Sequence, residues 1–219
     1  DSVGHIDTTA TTRRGSDGVA AIAGLVVLVA GMIVVRDGSV PAAEEALFHA
    51  VNGLPDLLYP VLWPFQQMGA VLVGPAVAIV AAIARRFRLA AGALTATAGK
   101  LVLERVVKLM VSRQRPGTSI GPEVDLRGDV SSAGESFVSG HAVLVTALAA
   151  VVAAHLPGRW RLVPWVVAAL VMVTRVYVGA HLPLDVVCGA GLGLAIGATV
   201  NLVLGVPGRA GRAEDPTEE

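Results

Sequence analysis

The sequence is poor in charged residues, aromatic residues and cysteine. Only 16% of its 219 residues are charged, well below the roughly 25% that is typical of soluble domains, which argues against an ordinary soluble protein. Aromatic residues make up 4%, so the apolar content is mainly small and aliphatic, which suits close helix packing in lipid. The lone cysteine, Cys188, excludes an intrachain disulfide. A formal net charge of zero gives no electrostatic basis for a nucleic-acid partner.

Long uncharged stretches are what the sequence does contain, with 54% hydrophobic residues. A membrane-spanning helix needs roughly 20 mostly apolar residues, and six candidates emerge. They are 18–35, a helix within 57–84, 89–111, 140–156, the run between Arg161 and Arg175, and 184–204. Residues 41–55 have helical apolar spacing and predict a short helix on the membrane surface. The predicted fold class is an all-α polytopic membrane protein with six transmembrane helices and a short interfacial helix between the first two.

Arginine residues collect on one side of this predicted bundle. They are Arg13, Arg14, Arg85, Arg86, Arg88, Arg159, Arg161, Arg209 and Arg212. Because arginine near a span favours the cytoplasmic side, we expect a multi-pass plasma (cell) membrane protein with both termini in the cytoplasm. A cleaved signal peptide is the alternative for the first span, although no small-residue cleavage pattern closes it. Residues 1–17 and 206–219 are predicted to be flexible tails around a membrane domain at 18–205.

Three polar groups remain, all where a predicted span meets the non-cytoplasmic surface. The first lies at the end of the third span, where Lys108 precedes Arg115 by seven residues, about two helical turns. Pro116 fixes the chain after this arginine, and Arg113 adds a second positive charge. The alternative is snorkelling, in which long cationic side chains at a helix end only reach for the interface.

The second group opens the fourth span with Ser139, Gly140 and His141. Serine suits a helix cap and glycine allows close approach to the backbone. Free amides at a helix start, together with the helix dipole, form a site for an anion such as phosphate. Beside it, His141 can hold or donate a proton near neutral pH. The alternative is a capped helix with an incidental interfacial histidine.

The third group lies between the fifth and sixth spans and contains Arg175, His181 and Asp185. The histidine and aspartate are four residues apart, so they share a face if helical. A carboxylate that binds one ring nitrogen leaves the other free to attack an electrophile. The arginine offers a planar fork of donors for phosphate oxygens. A purely structural role is the alternative, although ionisable residues at the end of a span usually have a function.

Three motifs follow one another in the sequence: K-x6-RP from Lys108, then SGH, then R-x5-H-x3-D ending at Asp185. With these motifs in this order, the sequence resembles the type 2 phosphatidic acid phosphatase superfamily. The resemblance implies a metal-independent, cofactor-free phosphatase that acts on lipid phosphates through a phosphohistidine. It implies that His181 is the nucleophile, Asp185 its orienting partner and His141 the proton donor to the leaving oxygen. The phosphoryl group would be bound by Lys108, Arg115, Ser139, Gly140 and Arg175. Val138 and Thr174 replace the usual proline and serine, but no chemical group of the mechanism is lost.

Several functions fit these residues. An integral membrane lipid phosphatase with its active site on the non-cytoplasmic side would act on a lipid phosphate among membrane lipids. Phosphatidic acid, phosphatidylglycerol phosphate and polyprenyl diphosphates, including undecaprenyl diphosphate, all fit. The alternative is a membrane transporter or channel with an intramembrane ionisable path. A metal site of His141, His181 and Asp185 is disfavoured because nearby cations repel a divalent ion. Six spans disfavour the family's soluble, vanadate-binding haloperoxidases.

Two further polar features have two interpretations each. Glu104 lies four residues from both Lys100 and Lys108, so it neutralises them in a low-dielectric setting, or it tunes Lys108 or lines a substrate path. The loop at 117–135 is solvated or contacts a lipid headgroup.

The glycine-rich sixth span, at 189–197, is expected to pack closely within the bundle or against a second copy.

Overall fold

The computed structural model describes residues 11–208, which form a mostly helical fold. The α-helices are α1 Gly15–Val34, α2 Ala42–Asn52, α3 Tyr59–Gln67, α4 Val73–Ile83, α5 Phe87–Met110, α6 Pro116–Ser119, α7 Gly140–Ala154, α8 Val163–Tyr177 and α9 Pro183–Leu204. Short 3-10 helices at Asp56–Leu58 and Gly158–Leu162 precede α3 and α8. Two two-residue strands, β1 Thr11–Thr12 and β2 Val206–Pro207, pair antiparallel.

Within residues 11–208, three segments are long and apolar enough to cross a membrane: Gly15–Val34, Gly158–Tyr177 and Pro183–Leu204. They correspond to the first, fifth and sixth predicted spans. The fourth corresponds to α7, a shorter apolar helix, and the third to α5, which has 24 residues but includes several charged side chains. By length and composition these helices suit a membrane protein, and the full count of six spans stays a prediction.

The second predicted span differs most from expectation. Residues 57–84 form two helices, α3 and α4, separated by a turn, instead of one continuous helix. Pro75 lies in the first turn of α4. Because proline has no N–H to donate, it suits a helix start but interrupts a helix that would continue from before it. The turn places residues of 66–69 against the site described below.

The last helix, α9, packs against both α1 and α7 through small residues. A Cβ atom added to Gly24 of α1 would lie 2.8 Å from the Ala195 nitrogen, and one added to Gly197 would lie 2.6 Å from the Ala147 carbonyl oxygen. Such contacts leave no room for a side chain, so glycine permits the close approach of these helices. The glycine-rich sixth span therefore packs within the bundle, one of its two predicted roles.

The short helix predicted in 41–55 is present as α2, but one of its faces is buried. Glu44, Phe48 and Asn52 are buried, and their spacing of four places them on one helical face. This face packs on α8 and α9, so α2 covers the end of the bundle that holds the polar groups. Its position at the membrane interface stays a prediction.

The predicted tail boundaries also differ from the structure. Strand β1, helix α1 from Gly15, and strand β2 all include residues that the sequence placed in the tails. The remaining parts of both tails, 1–10 and 209–219, lie outside the described residues.

Candidate active site

Backbone hydrogen bonds join the three polar groups at one end of the bundle. The amide of Ser139, at the start of α7, donates to the Asp185 carbonyl in the first turn of α9 at 3.0 Å. The amide of Ser136 donates to the carbonyl of Arg113, just after α5, at 2.7 Å. The convergence predicted from the sequence is therefore present, because these bonds fix the three groups relative to one another.

His181 lies beside Asp185, with Ser136 placed between their polar atoms. Nδ1 of His181 is 3.8 Å from Asp185 Oδ2, which is too long for the direct hydrogen bond that the sequence spacing predicted. Oγ of Ser136 lies 3.3 Å from that Nδ1 and donates to the same carboxylate oxygen. The Leu182 amide also donates to this oxygen at 2.9 Å. The serine therefore connects the histidine to its carboxylate.

Asp185 is also paired with Arg113, which is completely buried. Nη1 of Arg113 donates to Asp185 Oδ1 at 2.8 Å, and the same guanidinium binds Glu44 with contacts of 3.1 and 2.5 Å. Burial alone would lower the pKa of Arg113, but its hydrogen bonds and charge interactions with the two carboxylates raise it above its ordinary value. The snorkelling interpretation is wrong for this arginine, since it points inward and is paired.

Sequence reasoning missed the roles of Arg113, Glu44 and Ser136. Arg113 was expected only to add a second positive charge, and no role was predicted for Glu44 or Ser136. A signal was present, because Glu44, Phe48 and Asn52 recur every four residues and so share a face. Ser136 carried no comparable signal: its contact with His181 depends on the loop path before α7.

Three buried donors at this end of the bundle have no hydrogen-bond partner within residues 11–208: Nε of Arg115, Oγ of Ser139 and Nε of Arg175. Nε of Arg113 also has none, although its Nη atoms bind Asp185 and Glu44. Ser139 occupies the N-cap position of α7, yet its side chain makes no capping hydrogen bond. The capped-helix interpretation therefore does not account for its hydroxyl. Buried polar groups are normally paired, so this set is suited to an oxygen-rich anionic ligand.

The positive charges of Arg115 and Arg175 act on the His181 ring. Burial lowers the pKa of His181 to about 4; the Asp185 carboxylate opposes this shift, and the positive charges of Arg175 and Arg115 add to it. The imidazole is therefore neutral at pH 7, which is the form that a nucleophile requires.

Lys108 reaches the same region through Glu104. The Glu104 carboxylate binds Lys108 at 2.9 Å and Lys100 at 2.7 Å, which confirms that it neutralises its neighbours. It also lies against the start of α7, since a Cβ atom added to Gly140 would be 2.6 Å from both of its oxygens. An acidic side chain thus stands beside the helix terminus at which the sequence predicted an anion site.

His141 lies beneath the turn between α3 and α4. A Cβ atom added to Gly69 would be 2.7 Å from the His141 Cβ and 2.9 Å from its Cγ. At the end of α3, just before this turn, Oε1 of Gln66 is buried without a hydrogen-bond partner in the described part of the chain. This turn therefore forms one wall around the second histidine.

The loop at 117–135 is held in place by Arg127, which is largely buried. Its Nη1 donates to the carbonyl oxygens of Asn52 and Tyr177 at 2.7 Å each, and its Nε donates to Asp56 at 2.8 Å. The interpretation of this loop as merely solvated is wrong at this position, because the arginine ties it to the ends of α2 and α8.

The family model of the PAP2 superfamily matches residues 88–206 of this chain. This range includes every predicted site residue. Because this range covers more than half of the chain, the protein belongs to the PAP2 superfamily, and it is a phosphoric ester hydrolase of the membrane. The family resemblance read from the three motifs is thereby confirmed.

Two solved structures are similar to most of this chain. The crystal structure of LpxE from Aquifex aeolicus aligns with a TM-score of 0.67 and 25% identity, covering 73% of this chain and 95% of that chain. The crystal structure of a transmembrane PAP2-type phosphatidylglycerolphosphate phosphatase from Bacillus subtilis also aligns with a TM-score of 0.67 and 25% identity, covering 83% of this chain and 94% of that chain. No curated protein sequence matches this chain.

Proposed function

We propose that this membrane lipid phosphatase hydrolyses a lipid phosphate or polyprenyl diphosphate through a metal-independent phosphohistidine at the non-cytoplasmic membrane face. The observation that carries the proposal is the position of His181. Its Nδ1 faces Ser136 and Asp185, while the buried donors of Arg115, Ser139 and Arg175 have no partner among residues 11–208. A neutral imidazole beside donors for phosphate oxygens is the arrangement that phosphoryl transfer to histidine needs.

In the first step, Nε2 of His181 attacks phosphorus, because Nδ1 is directed at its serine and carboxylate neighbours. An N–P bond forms and the bond between phosphorus and the lipid-bearing oxygen breaks. His141 donates its proton to that leaving oxygen. Positive charge from Arg115 and Arg175 stabilises the equatorial oxygens as negative charge spreads over them.

In the second step, water attacks the phosphorus of the phosphohistidine. His141, now neutral, accepts a proton from this water, the N–P bond breaks, and inorganic phosphate leaves with the electron pair returned to His181. Asp185 stays ionised and holds the ring orientation through Ser136. Both of its oxygens accept hydrogen bonds, from Arg113 on one side and from Ser136 and Leu182 on the other, so the carboxylate is committed to positioning.

The substrate is an amphiphile whose phosphate lies at headgroup depth. The candidate site is at an end of the bundle, where α5 finishes and α7 and α9 begin, and six spans with both termini in the cytoplasm would place this end at the outer surface. Similarity to the Bacillus subtilis phosphatidylglycerolphosphate phosphatase supports a glycerophospholipid monoester as the first substrate to assay. Phosphatidic acid and polyprenyl diphosphates belong in the same panel.

The test is phosphate release from this lipid panel by the purified protein in detergent with a chelator. We expect release from at least one lipid, and loss of turnover in both His181→Ala and His141→Ala. A phosphate ester with a very good leaving group should partly restore His141→Ala but not His181→Ala, because only the former variant lacks the proton donor. Intact turnover in both variants, or equal loss with every leaving group, contradicts the assignment.

The transporter alternative has less support. An ion path needs ionisable residues that lead away from the site towards the other face. On α5, the Glu104 carboxylate pairs with both Lys100 and Lys108, which leaves the three side chains as a closed cluster beside α7. Their arrangement favours a local role at the phosphate site.

A further inference from the structure

A basic cavity lies at the end of the bundle opposite the candidate active site. It has a volume of about 530 Å³ and is lined by Arg85, Arg86, Phe87, Arg88, Leu89, His155 and Pro207. Helix α5 rises about 1.5 Å per residue, so Arg88 at its start lies about 30 Å from Lys108 near its end. The cavity is therefore separate from the phosphate site and has no part in the proposed reaction.

The backbone at Arg85 is unusual for an arginine. Its φ is 57°, the left-handed conformation that favours glycine at the end of a helix. The amide of Arg86 donates to Ala81 O at 2.8 Å and that of Arg85 to Ala82 O at 2.9 Å, which is the hydrogen-bond pattern of a Schellman motif. A cation thus occupies a backbone position at which glycine would be less strained.

His155 adds a polar atom without a partner. Its Nδ1 lies 2.9 Å from the Val151 carbonyl oxygen, so this nitrogen carries the proton, and Nε2 is a buried acceptor with no hydrogen-bond partner among the described residues. A ligand with hydroxyl groups would supply the missing donor.

An apolar groove continues from this cavity. It has a volume of about 510 Å³ and shares Arg86 and Leu89 with the cavity. Its other lining residues, all apolar, are Val73, Ala76, Val77, Val80, Ala81, Ala84 and Val152. Three guanidinium groups at the head of an apolar groove complement an anionic headgroup joined to an acyl chain.

We propose that the cavity and the groove together form a binding site for one anionic phospholipid with a hydroxylated headgroup, distinct from the substrate site. The arginines bind the phosphate, His155 Nε2 accepts from a headgroup hydroxyl, and an acyl chain lies along α4. Basic pockets between helices on the cytoplasmic side of membrane proteins bind such headgroups. The proposal stands whether or not His181 is the nucleophile.

The test is native mass spectrometry of the full chain in detergent, titrated with phosphatidylglycerol and, separately, with phosphatidylcholine. Phosphatidylglycerol is a diester and has no terminal phosphate to hydrolyse. We expect phosphatidylglycerol to bind at least tenfold more tightly than phosphatidylcholine. Arg86→Gln should weaken its binding about fivefold, because one cation near a lipid headgroup contributes that much. Ala84→Trp, which fills the exposed groove, should weaken both lipids.

Arg85→Gly separates binding from folding. Glycine adopts the left-handed backbone conformation without strain. In the absence of lipid this variant should therefore melt at a higher temperature than the wild type, and it should still bind phosphatidylglycerol more weakly. Arg159→Gln is the matched control, since Arg159 is exposed near the same end and does not line the cavity. Binding should also persist in Arg175→Gln, which alters only the candidate active site.

Three results would overturn the proposal. Equal affinity for phosphatidylcholine would show that the arginines do not select an anion. Equal weakening in Arg159→Gln and Arg86→Gln would show that general charge at this end attracts the lipid, without a defined site. Displacement of phosphatidylglycerol by millimolar inorganic phosphate would show that the cavity holds a free anion and that the groove contributes nothing.

Discussion

Arg113 and Asp185 form an ion pair with no exposed side-chain surface, with Nη1 2.8 Å from Oδ1. Glu44 of α2 completes the group from the other side of the guanidinium. Two carboxylates and one cation share a buried site, so each depends on the others for compensation of its charge. The pair links a covering helix, the end of α5 and the start of α9 to the orientation of His181.

Arg113→Ala should be among the most damaging single changes in this region. It leaves Glu44 and Asp185 buried without their cation, and removal of one partner from a buried pair costs about 3–5 kcal/mol. We expect a lower melting temperature by differential scanning fluorimetry and severe loss of turnover. Arg105→Ala on exposed surface of α5 is the control, and a similar loss of stability there would refute the special role of Arg113.

Ser136→Ala should reduce catalysis with less effect on folding. The hydroxyl donates to Asp185 Oδ2 and contacts His181 Nδ1, and a hydrogen bond to a charged group contributes about 1.5–3 kcal/mol. The expected fall in kcat is therefore about tenfold to a hundredfold. Ser131→Ala, in the exposed loop, is the matched control. A wild-type kcat in Ser136→Ala would show that Asp185 orients the histidine without the serine.

Gly69→Ala should impair His141 selectively. The new methyl group would overlap the His141 side chain, whose Cβ lies 2.7 Å from the position of the added atom, so the imidazole must shift. We expect a large loss of turnover with lipid phosphate and a smaller loss with an ester that has a good leaving group. Equal losses with both substrates would mean that the glycine serves only helix packing.

Glu104→Gln should strengthen inhibition by inorganic phosphate. The carboxylate neutralises Lys100 and Lys108 and lies against the first residue of α7, so it competes with a bound anion for the same positive charge. A gain of about 1.4 kcal/mol would lower the inhibition constant tenfold. Glu123→Gln changes net charge equally from the 117–135 loop and should have little effect; equal effects would assign the change to long-range charge.

The sequence anticipated the helices and the residues that meet at the site better than it anticipated how those residues connect. Apolar runs and loop charges predicted most helices, and the three motifs predicted a shared end of the bundle. The run 57–84 was predicted to hold one span although prolines interrupt it, because hydropathy alone does not show where an uncharged run divides into α3 and α4. The inward direction of Arg113 and Glu44 was missed because a charge at a helix end usually faces water, and only their mutual pairing makes burial tolerable.

Ser136 and Gly69 illustrate the limit of prediction from local pattern. Each acts on a histidine that is distant in sequence, through a loop or a turn whose path depends on the packing of the whole bundle. By contrast, the position of His181 near Asp185 follows from a spacing of four residues, and the position of Ser139 follows from its place at the start of a helix. Local spacing therefore predicts the positions of His181 and Ser139, while the positions of Ser136 and Gly69 depend on tertiary packing.

The most direct test of the central claim is single-turnover transfer of labelled phosphate from a lipid phosphate to the protein. We expect an acid-labile, base-stable label on His181 in rapidly quenched wild-type protein, formed and lost at rates compatible with turnover, and no label in His181→Ala. Two results would contradict the assignment of His181 as the nucleophile. One is wild-type turnover with no labelled intermediate that is kinetically competent, and the other is the same label in His181→Ala.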